Sequence, residues 1–281
     1  MRRSKYADVP AGADNPLNAA VSARDRGTLD MVAAAVRHNQ TLLAFQPIMV
    51  THNRQVGFYE GLIRIMDDTG RVIPAKDFMP VVERTELGRE IAVLALNMGL
   101  RTLADNPSLR LSINMSARSI GYEKWMRTLN RWVKRDATLG ERLILEITES
   151  SAMDQPELVI DFMDRLSRHG ICFALDDFGS GYTALRYLKD FYFDILKIDA
   201  QFCHGIADDP DLRALTEAML NIGRHFDMLV VGEGLERAQD VAVMEELGVD
   251  CLQGYYFDAP TVRPNWMFGE RRVAQKTTAK A

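Results

Sequence analysis

Leu143-Ile144-Leu145-Glu146, Phe173-Ala174-Leu175-Asp176-Asp177, Leu111-Ser112-Ile113-Asn114 and Leu229-Val230-Val231-Gly232-Glu233 share one pattern: a short apolar run that ends on a carboxylate or an amide. Eight apolar runs along the chain end on, or carry, an acidic or amide residue. A carboxylate at the mouth of a buried strand is costly unless a cation or a donor faces it. Repeated over several strands, the pattern points to one shared site that collects oxygen ligands from separate strand ends. A β/α barrel gathers them in this way, because its active site lies at the C-terminal face of its strands.

Working outward, strand-like runs lie near 42–49, 55–64, 109–115, 142–148, 171–177, 193–198, 227–233 and 249–256. From the second run onward the gaps mostly carry helical patterns, at about 76–105, 121–135, 156–169, 209–225 and 236–247. Strands alternating with helices predict parallel βαβ units. The first pair departs from this. Only Thr51 to Arg54 separate the first two runs, enough to close a hairpin but too few for a parallel crossover. One strand is therefore expected to run against the rest.

The chain has 281 residues, 47% hydrophobic and 26% charged, which suits one large globular domain with tails. Residues 1–25 read as a flexible N-terminal segment, 26–265 as the barrel and 266–281 as a polar C-terminal tail. The net charge of −5 leaves no basic footprint for duplex nucleic acid. Cys172, Cys203 and Cys251 have no CxxC spacing and read as reduced thiols. No secretory leader or apolar span of membrane length is visible, so a cytoplasmic protein without membrane insertion is expected.

Longer motifs sharpen this reading. Phe58-Tyr59-Glu60-Gly61-Leu62-Ile63-Arg64, Ser112-Ile113-Asn114-Met115-Ser116 and Leu145-Glu146-Ile147-Thr148-Glu149-Ser150 come first. Leu175-Asp176-Asp177-Phe178-Gly179-Ser180-Gly181-Tyr182, Leu196-Lys197-Ile198-Asp199, Val231-Gly232-Glu233-Gly234-Leu235-Glu236 and Gln253-Gly254-Tyr255-Tyr256-Phe257 follow. In this order and spacing they resemble the EAL domain, the cyclic di-GMP-specific phosphodiesterase family. The resemblance covers about residues 26–265. It departs from the signature at Gly61, where the family has alanine, and at Ile65, where the family often has Trp.

The resemblance implies a modified TIM (β/α)8 barrel with one antiparallel strand. It also implies hydrolysis of cyclic di-GMP to linear pGpG with two ions, Mg²⁺ or Mn²⁺. Glu60, Asn114, Glu146 and Asp176 would hold one ion. Asp176 would bridge to a second, also bound by Asp177 and, directly or through water, by Glu233. Oxygen donors suit a hard cation, and two ions can neutralise phosphate charge and prepare a water at neutral pH. Lys197 would position the attacking water; as a base it would need a strongly depressed pKa, which neighbouring carboxylates oppose. It could alternatively form a structural ion pair with Asp199. Glu149 would brace the loop from Phe178 to Tyr182, or serve only as a helix-start acid. Gln46, Arg64 and Gln253 match positions that contact the ligand. A homodimer is a further expectation from the family. The competing function is a catalytically silent cyclic di-GMP receptor that acts through a protein partner.

Overall fold

The protein is described by a computed structural model, for residues 16–181 and 185–267. The strands are β1 (Thr41–Val50), β2 (Val56–Met66), β3 (Val72–Pro74), β4 (Leu111–Asn114), β5 (Leu143–Thr148), β6 (Cys172–Phe178), β7 (Ile195–Ile198), β8 (Leu229–Gly232) and β9 (Cys251–Leu252). The helices are α1 (Pro16–Arg37), α2 (Met79–Val82), α3 (Glu86–Asp105), α4 (Glu123–Arg135), α5 (Glu149–Asp154), α6 (Pro156–Ser167), α7 (Ala200–Cys203), α8 (Pro210–His225) and α9 (Ala238–Leu247). The sheet runs β1-β9-β8-β7-β6-β5-β4-β2, and β1 pairs with β2 to close the ring. Pairs β2–β4 through β8–β9 are parallel, whereas β1 is antiparallel to β9. The expected barrel with one reversed strand is the observed one.

Contacts divide the chain into two compact units, the described part of Met1–Leu42 with Ile63–Ile91, and Leu43–Leu62 with the described part of Ala92–Ala281. In the first, β3 pairs only with the far end of β2, Arg64, Ile65 and Met66 facing Pro74, Ile73 and Val72. A buried cluster of Val32, Ala35, Ile65, Ile73, Phe78, Val82 and Ile91 holds it together. Ile65, at the position where the family often has Trp, is fully buried there.

Three expectations change here. Residues 16–25, read as part of a flexible segment, belong to α1. Their helix is secured by Val32 and Ala35 further along, in the cluster just described, which local composition does not show. The strand β3 is too short to announce itself. The single helix expected at 76–105 is broken into a 3₁₀ turn, α2 and α3. Gly88 allows the break, since a Cβ there would lie 2.6 Å from the Val82 carbonyl oxygen.

In the second unit, one layer of the barrel interior is Ile48, Phe58, Ile144, Ala174, Ile195, Val231 and Cys251, packed as one cluster. On β4 the corresponding position is Ser112, also fully buried. Two aspartates tie strand starts together at this end. Asp194 accepts from Phe173 N at 2.8 Å and Asp250 from Val230 N at 2.8 Å. Trp266, placed by sequence at the start of the tail, packs its ring on Phe45 and Tyr59 at 5.1 and 5.8 Å. The outward-facing rings of Phe45 and Tyr59 thus give Trp266 an apolar seat on the barrel.

Gly61 sits on the outward face of β2, level with Ile113 of β4. A Cβ at Gly61 would meet Ile113 Cδ1 at 2.6 Å, and one at Gly99 of α3 would meet it at 2.7 Å. Ile113 thus occupies the room that both glycines leave, and the missing methyl at position 61 opens no void. Gly61→Ala is expected to destabilise the protein by about 1–3 kcal/mol through overpacking. Gly61→Ala with Ile113→Val should recover most of that loss in urea unfolding, and an unchanged midpoint in the single variant would refute the packing account.

Candidate active site

Strand alternation builds the site. Side chains two residues apart on a strand share a face, so the layer above the apolar one is set by simple addition. Phe58 leads to Glu60, Ser112 to Asn114, Ile144 to Glu146, Ala174 to Asp176, Ile195 to Lys197, Val231 to Glu233 and Cys251 to Gln253. On β1, which runs the other way, Ile48 leads back to Gln46. Every barrel strand therefore presents one polar residue to the same layer at the C-terminal mouth.

Lys197 is the centre of that layer. Its Nζ lies 2.6 Å from Glu233, 2.8 Å from Asp176, 3.0 Å from Glu146 and 3.6 Å from Glu60. The lysine is 1% exposed. Burial alone would drive off its proton, but Asp176, Glu146, Glu233 and Glu60 outweigh burial and hold its pKa well above the ordinary value. It is a fixed ammonium and a donor. An ion pair with Asp199 is not formed; Asp199 caps α7 by accepting from Gln201 N at 2.8 Å.

One cation cannot neutralise all of these acids. Burial, then the charge of Glu60, push Glu146 well above the carboxylate range, with Lys197 opposing. Burial lifts Glu233 to about 8 against the pull of Lys197. Glu60 goes the other way: burial would raise it, but Lys197, Gln253 and Asn114 together hold it low. Asn114 donates to its Oε1 at 2.8 Å and Gln253 to its Oε2 at 2.7 Å.

Asp177 enters by a different device. The β6–β7 register shifts between Leu175 and Phe178, and Asp177 takes the left-handed conformation with φ 55°. This bulge breaks the alternation, so two consecutive carboxylates serve one site. Burial and the charge of Asp176 lift Asp177 to about 6. Asp176, Asp177 and Glu233 each offer an oxygen within 4.8 Å of one another. Glu146 Oε1 is buried without a hydrogen-bond partner among the described residues. A donor set made only of oxygens, with acids unable to ionise together unaided, fits a hard divalent cation.

Glu149 heads α5, is 1% exposed, and accepts from Gly179 N at 2.9 Å. Across the same glycine, a Cβ would meet Phe202 and Met219 at 2.6 Å, so the turn after Asp177 is held between α5 on one side and α7 and α8 on the other. Tyr182, the expected end of this loop, lies outside the described residues. Gln253 donates to Gln46 Oε1 at 3.1 Å as well as to Glu60, and Gln46 donates to the Asp258 carbonyl at 3.2 Å. Arg64 stands four residues beyond Glu60 along β2 and donates to the Ile63 carbonyl at 2.9 Å. Ser112, two residues before Asn114 in the same motif, turns its hydroxyl inward beneath it and is fully buried.

Replacing Lys197 by Met should leave the acids uncompensated and destabilise the protein in excess chelator by about 3–5 kcal/mol at pH 8. A carboxylate whose folded pKa is raised, as for Glu233 at about 8, loses stability as pH rises from its unfolded value toward the folded one. The deficit of the variant should therefore shrink at pH 5, where the unpaired acids take up protons. Equal losses at both pH values would refute this charge balance.

Comparison with known proteins agrees with this geometry. The sequence pattern of the EAL domain matches residues 29–260. The bifunctional diguanylate cyclase/cyclic di-GMP phosphodiesterase MucR of Pseudomonas aeruginosa is 29% identical over 231 residues, 80% of this chain and 34% of MucR. The cyclic di-GMP phosphodiesterase PdeF of Escherichia coli is 28% identical over 236 residues, 83% of this chain and 31% of PdeF. The chain thus spans about a third of the length of these curated relatives. Among solved structures, the PaMucR phosphodiesterase in complex with c-di-GMP superposes with a TM-score of 0.75 at 28% identity, covering 86% of this chain and 99% of that one. With its reversed strand, its ring of inward acids and a match over residues 29–260, the chain belongs to the EAL domain family.

Proposed function

We propose that this chain hydrolyses cyclic di-GMP to linear pGpG with divalent metal ions, Mg²⁺ or Mn²⁺. The observation that carries the reading is the layer of oxygen donors around Lys197, with four carboxylates 2.6–3.6 Å from one buried ammonium. The relatives named cyclic di-GMP phosphodiesterases, and the solved complex with c-di-GMP, supply the substrate class.

Glu60, Asn114, Glu146 and Asp176 would hold one ion, and Asp176, Asp177 and Glu233 a second. When bound, such ions supply charge neutralisation at a non-bridging phosphate oxygen and lower the pKa of water. In the net reaction, water adds to phosphorus, the bond to the 3′ oxygen breaks, and that oxygen leaves as a hydroxyl. Lys197 remains charged throughout, orienting the water and countering negative charge as it develops. Glu149 keeps the turn after Asp177 in place, which fixes both aspartates. Gln46, Gln253 and Arg64 contact the nucleotide. Among the described residues no helix is long and apolar enough to cross a membrane. A cytoplasmic location, from the sparse unpaired cysteines, and a homodimer, on family grounds, are part of this reading, the latter measurable by light scattering.

Product analysis with purified protein tests the reaction. Linear pGpG should appear with Mg²⁺ or Mn²⁺, and Ca²⁺ should inhibit because its larger, looser coordination disfavours a paired-ion site. Equal turnover in excess chelator would sink the metal requirement, and tight binding without turnover would establish a silent receptor instead. Glu146→Gln should lose activity at every Mg²⁺ concentration tested. Glu149→Gln should keep nucleotide binding while turnover falls by roughly ten- to a hundredfold and the Mg²⁺ dependence shifts. A Glu149→Gln titration that overlays the wild type would reduce Glu149 to a helix-start acid.

A further inference from the structure

Outside the site, one helix concentrates charge. α4 turns Trp125, Leu129 and Val133 into the protein. Lys124, Arg127, Arg131 and Lys134 fall along its opposite side, three, four and three residues apart, the spacing that stacks side chains on one helical face. At 1.5 Å per residue the stripe is about 15 Å long. These four cations, with Val93 of α3, line a cleft of about 710 Å³. The chain that carries this stripe has a net charge of −5.

Two of these charges, Arg127 and Arg131, make only light contacts with the fold. Arg127 meets Glu123 at 3.5 Å, with side chains 66% and 79% exposed. Arg131 donates to Asn97 of α3 at 3.1 Å. A solvated pair of this kind contributes little to stability and releases its cation cheaply. None of the four belongs to the mouth of the barrel.

We propose that the cleft along α4 is a docking surface for an acidic amphipathic helix of a partner protein. Its carboxylates would oppose the four cations, and its apolar edge would rest on Val93 and the aliphatic stems of the lysines and arginines. The alternatives fit less well. A bilayer is flat and does not fill a concavity; Trp125, Leu129 and Val133 face inward, and the half-buried Trp132 is tied to Asn97 at 2.9 Å beneath the Arg135 guanidinium. A long nucleic acid needs a broad basic footprint, which a chain of net charge −5 does not supply. A helix is about 10 Å wide and can present acids at the same three- and four-residue spacing as the stripe.

The test uses the full chain and a labelled synthetic helix that carries Glu at positions spaced three, four and three apart with Leu between them, followed by fluorescence anisotropy at low salt. Binding is expected, and Arg127→Glu with Arg131→Glu should weaken it at least about tenfold, as should high salt. A peptide of the same composition with its acids scattered should bind more weakly, while cyclic di-GMP turnover stays at the wild-type level in the charge-reversed protein. If charge reversal impairs folding, the milder Arg127→Ala with Arg131→Ala reads the same loss. No binding of the helix at low salt would overturn the proposal. So would equal binding by wild-type and charge-reversed protein, or equal binding of the scattered peptide. Tighter retention of phosphatidylserine vesicles or a single-stranded oligonucleotide through the same arginines would replace the acidic helix with that class of partner.

Discussion

One ammonium set against four carboxylates in a nearly dry layer is the constraint on which the rest of this protein turns. Lys197 is close enough to Glu60, Glu146, Asp176 and Glu233 to be shared by all of them. It can keep only part of that set ionised. Glu60, with two amide donors besides the lysine, is held low, while Glu146 and Glu233 are lifted by burial. A site with more buried acid than it can charge unaided is poised for added cations, which supply the charge that Lys197 lacks. The lysine keeps the unloaded barrel from being split by its own acids, and the acids keep the lysine protonated.

That arrangement depends on closing eight strands into a ring. Within a closed barrel, alternation assigns every inward side chain to a layer. The apolar layer of Ile48, Phe58, Ile144, Ala174, Ile195, Val231 and Cys251 fills the interior, so the polar residues two steps on have solid packing beneath them. Reversal of β1 does not disturb the scheme, because the same two-residue step taken backward brings Gln46 to the mouth. The single exception is Asp177, and the register shift in β6 pays for a second carboxylate at one strand end.

Support for the site comes from outside the barrel interior. Gly179 is pinned by Glu149 on one side and by Phe202 and Met219 on the other, which leaves the turn after Asp177 little freedom. On the outer face of β2 and β4, Ile113 fills the space over Gly61 and Gly99. The change from alanine to glycine next to Glu60 is thus absorbed by a neighbouring side chain, and the backbone that aims Glu60 remains packed. These contacts link residues tens of positions apart in the chain.

Much of this was readable from local pattern. Apolar runs that end on Glu146, Asp176 or Glu233 announce buried strands with polar tips, and four residues between the first two runs exclude a parallel crossover. Both signals are short-range, since alternation and chain reach act within a few residues. Other features were out of reach for the same reason. The helical state of residues 16–25, the strand at Val72–Pro74 and the seat of Trp266 on Phe45 and Tyr59 depend on partners distant in sequence. Sequence could name Lys197 and its candidate acids, but it left open whether Asp199 or the strand-end carboxylates were the partners. Only the closed ring decides that, because alternation sends Lys197 inward to Glu60, Glu146, Asp176 and Glu233, while Asp199 turns to cap α7.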